Sequence, residues 1–334
     1  MSSDPKKFPL FRLATITAEH LIRSMEVEEM FILSLTSTKA RALLNYSLPK
    51  THAHIRCSLG GQKHFVIQFF PGRSPENFMK LFLEQEQNHV ARAEGYNSYK
   101  IHNIQCKFFL PSKETMEIIS EKPLEVVAEA FLTHLAESFH SPKISMEFGS
   151  VAPEAALSLL NHAKSLNLPT ERTVLQTTNT PAEVYRAFLN EGPITKELFI
   201  VSNATSDFQY SPTEVFKLDK FHVTDGHWVH LQDYMECRSI VVRNITAKLN
   251  MYSVNAHRLN EFFKVWQRSS CRLESLHISL YTSQRLNFEQ ITMGLNGTNI
   301  TRTGEFQSVD IEREDGRKAV ITLSRMLLKL EKRN

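Results

Sequence analysis

From residue 144 onward the chain alternates short β-type runs with helical patterns, and this alternation restricts its fold more than any other feature. The runs lie at 144–148, 174–177, 198–201, 221–224, 240–242 and 276–278, with starts 30, 24, 23, 19 and 36 residues apart. Most gaps between them carry a helical stripe. One holds Ala156, Leu159, Leu160 and Ala163, another Val184 and Phe188, a third Leu259, Phe262, Phe263 and Trp266. A single strand–helix unit cannot bury both of its apolar faces, so several units have to stack. The expected class is α/β, an irregular leucine-rich-repeat-like β-α solenoid over residues 144–325. The spacing is uneven and a strict Leu-x-x-Leu-x-Leu consensus is absent, so an ordinary α/β domain with a flat parallel sheet is the alternative.

The solenoid is expected to close on a hairpin. Val309 to Arg313 alternates apolar and polar residues, Asp315-Gly316 supplies a tight turn, and Ala319 to Leu323 returns; Asp-Gly between alternating runs is a strong hairpin signal. Upstream, residues 55–140 read as a β-rich and helical connecting region. Two β-rich runs flank Gly60-Gly61, which predicts a hairpin or meander. Ser74-Pro75 suits a helix start, and Phe78, Leu81, Phe82, Gln85 and His89 predict a helix behind it. A further strand is expected at about 99–110. Pro123 then opens an amphipathic helix with Leu124, Val127, Phe131, Leu135 and Phe139 on one stripe.

The stretch 8–48 breaks into three short amphipathic pieces. Ile16, Leu21, Ile22 and Met25 cluster on one side of the first; Met30, Leu33 and Ser34 sit at helical spacing in the second; Leu43 and Leu44 close the third. About 40 residues cannot bury this much apolar surface among themselves. Either the rest of the chain or a partner covers it. An opening Phe8-Pro9-Leu10 leads to Leu13, then to Leu21-Ile22 and Met25, an acidic turn (Glu26, Glu28, Glu29), and the run Leu33 to Lys39. This order resembles an F-box, and more narrowly the F-box of a family expanded in nematodes that carries an F-box-associated type 2 region. Many F-boxes read Leu-Pro where this chain has Leu13-Ala14. The order Leu218 to His222, Trp228, Cys237 to Val242, Asn260 to Trp266, Leu273 to Ile278 resembles that associated region, and Asp310 to Gly316 resembles its ending.

The resemblance implies an adaptor of an SCF-type cullin–RING ubiquitin ligase. Its F-box docks on a Skp-family linker protein and its repeat region holds a protein substrate. The side chains implied as linker anchors are Pro9, Leu13, Ile16, Leu21, Ile22, Met25, Leu33 and Leu43. The alternative is a repeat-based protein-interaction module without a ligase role, whose first helices merely cap the repeats.

Composition adds exclusions. Net charge is +3, from 39 basic and 36 acidic residues, which is too balanced for nucleic acid to be the main partner. The longest apolar runs fall short of the roughly 18 residues a membrane span needs. The start, Met1 to Lys7, lacks the apolar core of a signal peptide. Cys57, Cys106, Cys237 and Cys271 show no paired spacing and read as reduced thiols of a cytoplasmic or nuclear protein. No phosphate-cradling glycine motif, Gly-x-Ser-x-Gly elbow or His-Glu-x-x-His helix occurs, so no catalytic residue, cofactor or metal is assigned. The nearest metal candidate, His222, His227, His230 and Cys237, fits no standard zinc spacing. Trp266 continues the Leu259–Phe263 stripe and reads as core.

Overall fold

The computed structural model describes residues 13–50, 53–60, 63–69, 78–85, 96–112, 114–149, 151–177, 180–191, 195–243, 255–279, 286–325 and 327–333. The described residues form a mixed α/β protein with eight α-helices and sixteen strands. They divide into two compact units. The first takes the chain up to Met146 together with Ser158–Pro169. The second takes Glu147–Leu157 and the chain from Thr170 onward.

The first unit opens with three short helices, α1 (Thr15–Ser24), α2 (Val27–Thr36) and α3 (Thr38–Ser47). Local chemistry sets their starts. Glu29 reaches back to the Glu26 backbone N–H at 2.9 Å, and the acidic first turn of α2 suits the positive end of the helix dipole. Ser37 caps α3 by accepting from the Ala40 N–H at 3.1 Å. None of the three is long enough to persist alone in water. They are held by α4 (Leu124–Ser138), the amphipathic helix predicted behind Pro123. Phe31 of α2 stacks on Phe131 of α4, centroids 6.3 Å apart and rings 22° from parallel, and both are fully buried.

A hydrogen-bond chain reinforces this contact. The Ser34 hydroxyl donates to the Phe31 carbonyl at 2.5 Å, so its oxygen is left to accept from His134 Nε2–H at 2.8 Å. His134 Nδ1 then accepts from the Arg41 guanidinium at 3.4 Å. One tautomer of a buried neutral imidazole therefore joins α2, α3 and α4. Burial, followed by the charges of Arg41 and His102, holds this imidazole down to about 3. Asn45 adds a bond to the Glu137 carbonyl at 3.1 Å.

The sheet of the first unit runs β7-β1-β2-β3-β6-β5-β4. In chain order these strands are β1 (Ala53–Leu59), β2 (Lys63–Phe69), β3 (Phe78–Gln85), β4 (Asn97–Ile101), β5 (Ile104–Ser112), β6 (Thr115–Ser120) and β7 (Lys143–Phe148). The expected first hairpin is present as antiparallel β1 and β2. The helix expected behind Ser74-Pro75 is corrected: residues 78–85 form β3, and residues 74–77 and His89 lie outside the described residues. Met79, Leu81 and Leu83 alternate into the core, while β3 pairs antiparallel with β2 and parallel with β6. A period of two and two flanking partners outweigh the helical spacing of Phe78, Leu81 and Phe82. The strand expected near 99–110 is two strands, β4 and β5, turning at His102-Asn103.

In the second unit every expected β run is a strand. The set comprises β8 (Thr170–Leu175), β9 (Glu197–Ile200), β10 (Lys220–Val223), β11 (Ser239–Arg243) and β12 (Ser275–Ser279), all parallel to one another. Helices α6 (Ala182–Glu191) and α7 (Ala256–Arg268) occupy two of the crossovers; α5 (Pro153–Ser165) begins in this unit and ends in the first. The sheet continues antiparallel through β16 (Leu327–Lys332), β15 (Lys318–Leu323), β14 (Phe306–Glu312) and β13 (Gly297–Thr303). Helix α8 (Phe288–Thr292) precedes β13.

The hairpin of β14 and β15 turns as expected at Asp315-Gly316. The Gly316 N–H returns to Arg313 O at 3.0 Å with Gly316 at φ +83°, a left-handed position that glycine takes without steric cost. The Arg313 side chain folds under the turn, fully buried, onto Asp315, the Cys271 carbonyl (2.7 Å) and the Trp266 ring (5.5 Å). Trp266 itself is core and donates to Leu273 O at 3.2 Å.

One crossover has no helix. Residues 201–217, between β9 and β10, form an irregular excursion filled by rings. Trp228 meets Tyr185, Phe208 and Tyr210 edge-on at 5.8, 5.6 and 6.0 Å, and Phe221 stacks on Tyr234 at 4.4 Å. His227 pins the excursion, bonding Asp225 Oδ1 at 2.9 Å and the Thr205 carbonyl at 3.0 Å. Gly226 is sterically required, since a Cβ there would fall 2.1 Å from Val242 Cγ1.

Two outcomes are expected. Phe131→Ala should lower the stability of the first unit by about 3–5 kcal/mol in urea unfolding, because it removes a buried ring and the platform for Phe31. His134 makes stability depend on pH. Its folded value lies below its free one, so the unfolded chain binds the extra proton, and stability is lost as pH falls from 6.5 toward about 3. Between pH 7 and pH 5 this amounts to about 2 kcal/mol. His134→Gln should flatten that part of the pH profile in the same titration.

Candidate functional site

The side chains implied as linker anchors are sorted by the three N-terminal helices into distinct environments. On α1, Ala18 and Ile22 share the inward stripe, and Ile22 is fully buried against the unit's own core. It offers no surface to a partner, because helical spacing puts Leu21 and Ile22 on different sides. Leu13, Leu21, Met25, Leu33 and Leu43 are half-buried. Ile16 is 70% exposed, the most exposed large apolar side chain of the described residues. Pro9 lies outside the described residues. The structure thus keeps a discontinuous apolar rim, Ile16 with parts of Leu21, Met25, Leu33 and Leu43, on the helices whose other sides carry Met30, Phe31, Leu35, Ala40 and Leu44 into the core. Tyr46 of α3, which sequence reasoning missed, is 68% exposed. Its signal was available: it stands two residues past buried Leu44, on the opposite face of the helix.

The second unit presents a different surface, generated by the register of its parallel strands. Leu198, Phe221, Ile240 and Leu276 are mutual partners across β9 to β12, and the row continues through Leu330, Ile321 and Val309. All seven are buried. The next row must point the other way. It reads Phe199, His222, Val241, His277, Lys329 and Thr322. All but Phe199 are half-exposed, so this face of the sheet is open.

Charge on the open face is unevenly matched. Toward β16, His277 Nε2 meets Glu331 at 3.0 Å and Lys329 meets the same carboxylate at 3.6 Å. Toward β8, Arg172 lies 4.1 Å over the Phe199 ring, with Lys220 at 5.2 Å from the same centroid. Arg172, Lys220 and Arg243 form no ion pair among the described residues. His222 sits between them with a buried Nε2 that has no hydrogen-bond partner. Its imidazole is held down to about 4 by burial first, then by Arg243, Lys220 and Arg172.

Other candidates are not assembled. His222 is on the open face, His227 is bonded to Asp225 and Thr205, His230 is exposed, and the Cys237 thiol donates to Phe216 O at 3.4 Å. Among the described residues no group of three or more His, Cys, Asp or Glu side chains is placed to hold a metal ion. All four cysteines are free and buried. Burial pushes the Cys106 thiol up to about 11 and Cys237 up to about 12, and raises Cys57 further, so these thiols stay protonated at neutral pH. Trp228 is buried at the centre of its ring cluster rather than presented to a ligand. No helix among the described residues is long and apolar enough to cross a membrane.

No family model matches the chain, and no solved structure matches it. A curated protein of Caenorhabditis elegans does: the "Skn-1 dependent zygotic transcript 15 protein" is 23% identical over 340 residues, covering 96% of this chain and 95% of that protein. The chain is thus similar, across nearly its whole length, to a nematode protein.

Proposed function

We propose that this protein is a substrate-recognition adaptor of an SCF-type cullin–RING ubiquitin ligase. The three N-terminal helices act as an F-box for a Skp-family linker, and the second unit holds the protein to be modified. The observation that supports this most is the apolar rim that the first unit leaves uncovered on α1 to α3, where Ile16, Leu21, Met25, Leu33 and Leu43 keep exposed surface. The order of residues from Phe8 to Lys39 agrees with it, and the relative is in keeping with the nematode character of that order. On this reading the chain performs no chemistry. It brings a bound protein close to a charged conjugating enzyme, and rate comes from raised effective concentration. The second unit acts as a short leucine-rich-repeat-like solenoid whose open sheet face receives the target.

A second reading has its own observation. Phe31 on Phe131 and Ser34 on His134 tie the N-terminal helices into the first unit, as a structural cap requires. A pure cap needs no partner for its rim.

Linker capture separates the two. The purified chain should retain a Skp-family linker in a pull-down. Ile16→Asp and Leu21→Asp should each weaken capture by about tenfold or more, since a charge placed in a buried apolar contact is costly. Ile16→Asp should leave the melting temperature unchanged because the site is open to solvent. Undiminished capture by both variants would leave the cap reading in possession.

A further inference from the structure

We propose that the open sheet face of the second unit is a docking surface for an extended, acidic protein segment, gripped by Arg172, Lys220 and Arg243 around the Phe199–His222 centre. This deepens the adaptor reading by giving the captured protein a chemistry, and rests on that reading only for what happens after capture.

The cations are held in place. Phe199 is flanked by the Arg172 guanidinium and the Lys220 ammonium at 4.1 and 5.2 Å, and ring contact of this kind restrains long side chains before any ligand arrives. Restraint lowers the ordering cost that binding must meet. They are also under-neutralised. Glu197 lies between Arg172 and Lys220 in register, one carboxylate for two cations, and Arg243 on β11 adds a third positive charge. His222 reports the surplus: its buried Nε2 has no partner among the described residues, and the three cations oppose its protonation.

The shape of the surface favours a strand-like peptide. Positions on neighbouring strands repeat at about 4.8 Å, and a ligand lying across them meets one outward side chain per strand. Arg172 on β8 and Lys220 on β10 share one register row, two positions before Phe199 and His222, and Arg243 on β11 lies two positions beyond that centre, so an extended chain with recurring carboxylates reaches all three by crossing the strands obliquely. The half of the face toward β16 is already paired through Glu331, which confines the grip to one side. A nucleic acid fits less well. Three cations give few phosphate contacts, and the whole chain carries only +3.

The test uses the full chain and a fluorescein-labelled peptide of alternating Glu and Ala, read by anisotropy at low salt. Saturable binding is expected, weakening steeply between about 50 and about 200 mM salt. An alternating Gln and Ala peptide should not bind. Lys220→Glu together with Arg243→Glu should reduce affinity by about tenfold or more with an unchanged melting curve, since both side chains carry charge at the surface. A second signature comes from NMR. The His222 imidazole should titrate at higher pH when the acidic peptide is bound, because the peptide's charge offsets that of Arg243, Lys220 and Arg172. Equal binding of the Gln peptide, equal binding by the double variant, no binding at low salt, or tighter binding of single-stranded RNA would each overturn the proposal. Linker capture by the unaltered chain is the independent control. If linker capture fails while the acidic peptide binds, the adaptor reading falls and the surface stands; the converse result removes the surface alone.

Discussion

The second unit depends on one geometric constraint, the period of two along its parallel strands. Once Leu198, Phe221, Ile240 and Leu276 are aligned and sealed, the residues after them have no choice of side. Phe199, His222, Val241 and His277 must face outward together. Slipping any strand by one residue would bury His222 or His277 and expose a fully buried aliphatic or aromatic side chain, a loss of about 1.5–3 kcal/mol before the polar group is counted. The register that forms the core therefore also arranges the outer face.

The first unit solves a related problem with helices. Three segments of ten residues each are too short to hold themselves, so their inner sides are given to α4 and the sheet. Phe31 supplies the apolar contact, and the chain Arg41–His134–Ser34–Phe31 supplies direction, since the Phe31 carbonyl can only accept and the Arg41 guanidinium can only donate. A helix wall fixed this firmly on one side presents its other side with a defined shape. Cap and docking wall are compatible roles for the same residues, and the packing that favours the first is also what would make the second rigid.

Much of this was legible in the sequence, and the failures have physical causes. The six short β runs and the helix behind Pro123 were evident because length, flanking punctuation and periodicity agreed. Residues 78–85 misled because Phe78, Leu81 and Phe82 fit a helical stripe while Met79, Leu81 and Leu83 fit a strand; only the neighbours β2 and β6 decide between them. The Leu21-Ile22 pair read as one apolar unit, although adjacent helical residues point about 100° apart. The open face could not be read at all. Lys220 and His222 are visible as outward positions of one strand, but their nearness to Arg172 and Arg243 depends on strand register across gaps of varying length, which no local pattern encodes.

The antiparallel end of the second sheet bears on how the chain comes together. Strand β12 is completed on its free side by β16, so Leu276 waits for Leu330, a partner 54 positions later. Between them the chain makes the two local ribbons of β13, β14 and β15, whose partners lie close in sequence. During synthesis the parallel rungs can therefore assemble and still leave the row of amides and carbonyls on β12 unsatisfied until Leu327–Lys332 has been made. That interval is when β12 is most open to mispairing with another nascent chain, and the arrival of β16 is what ends it.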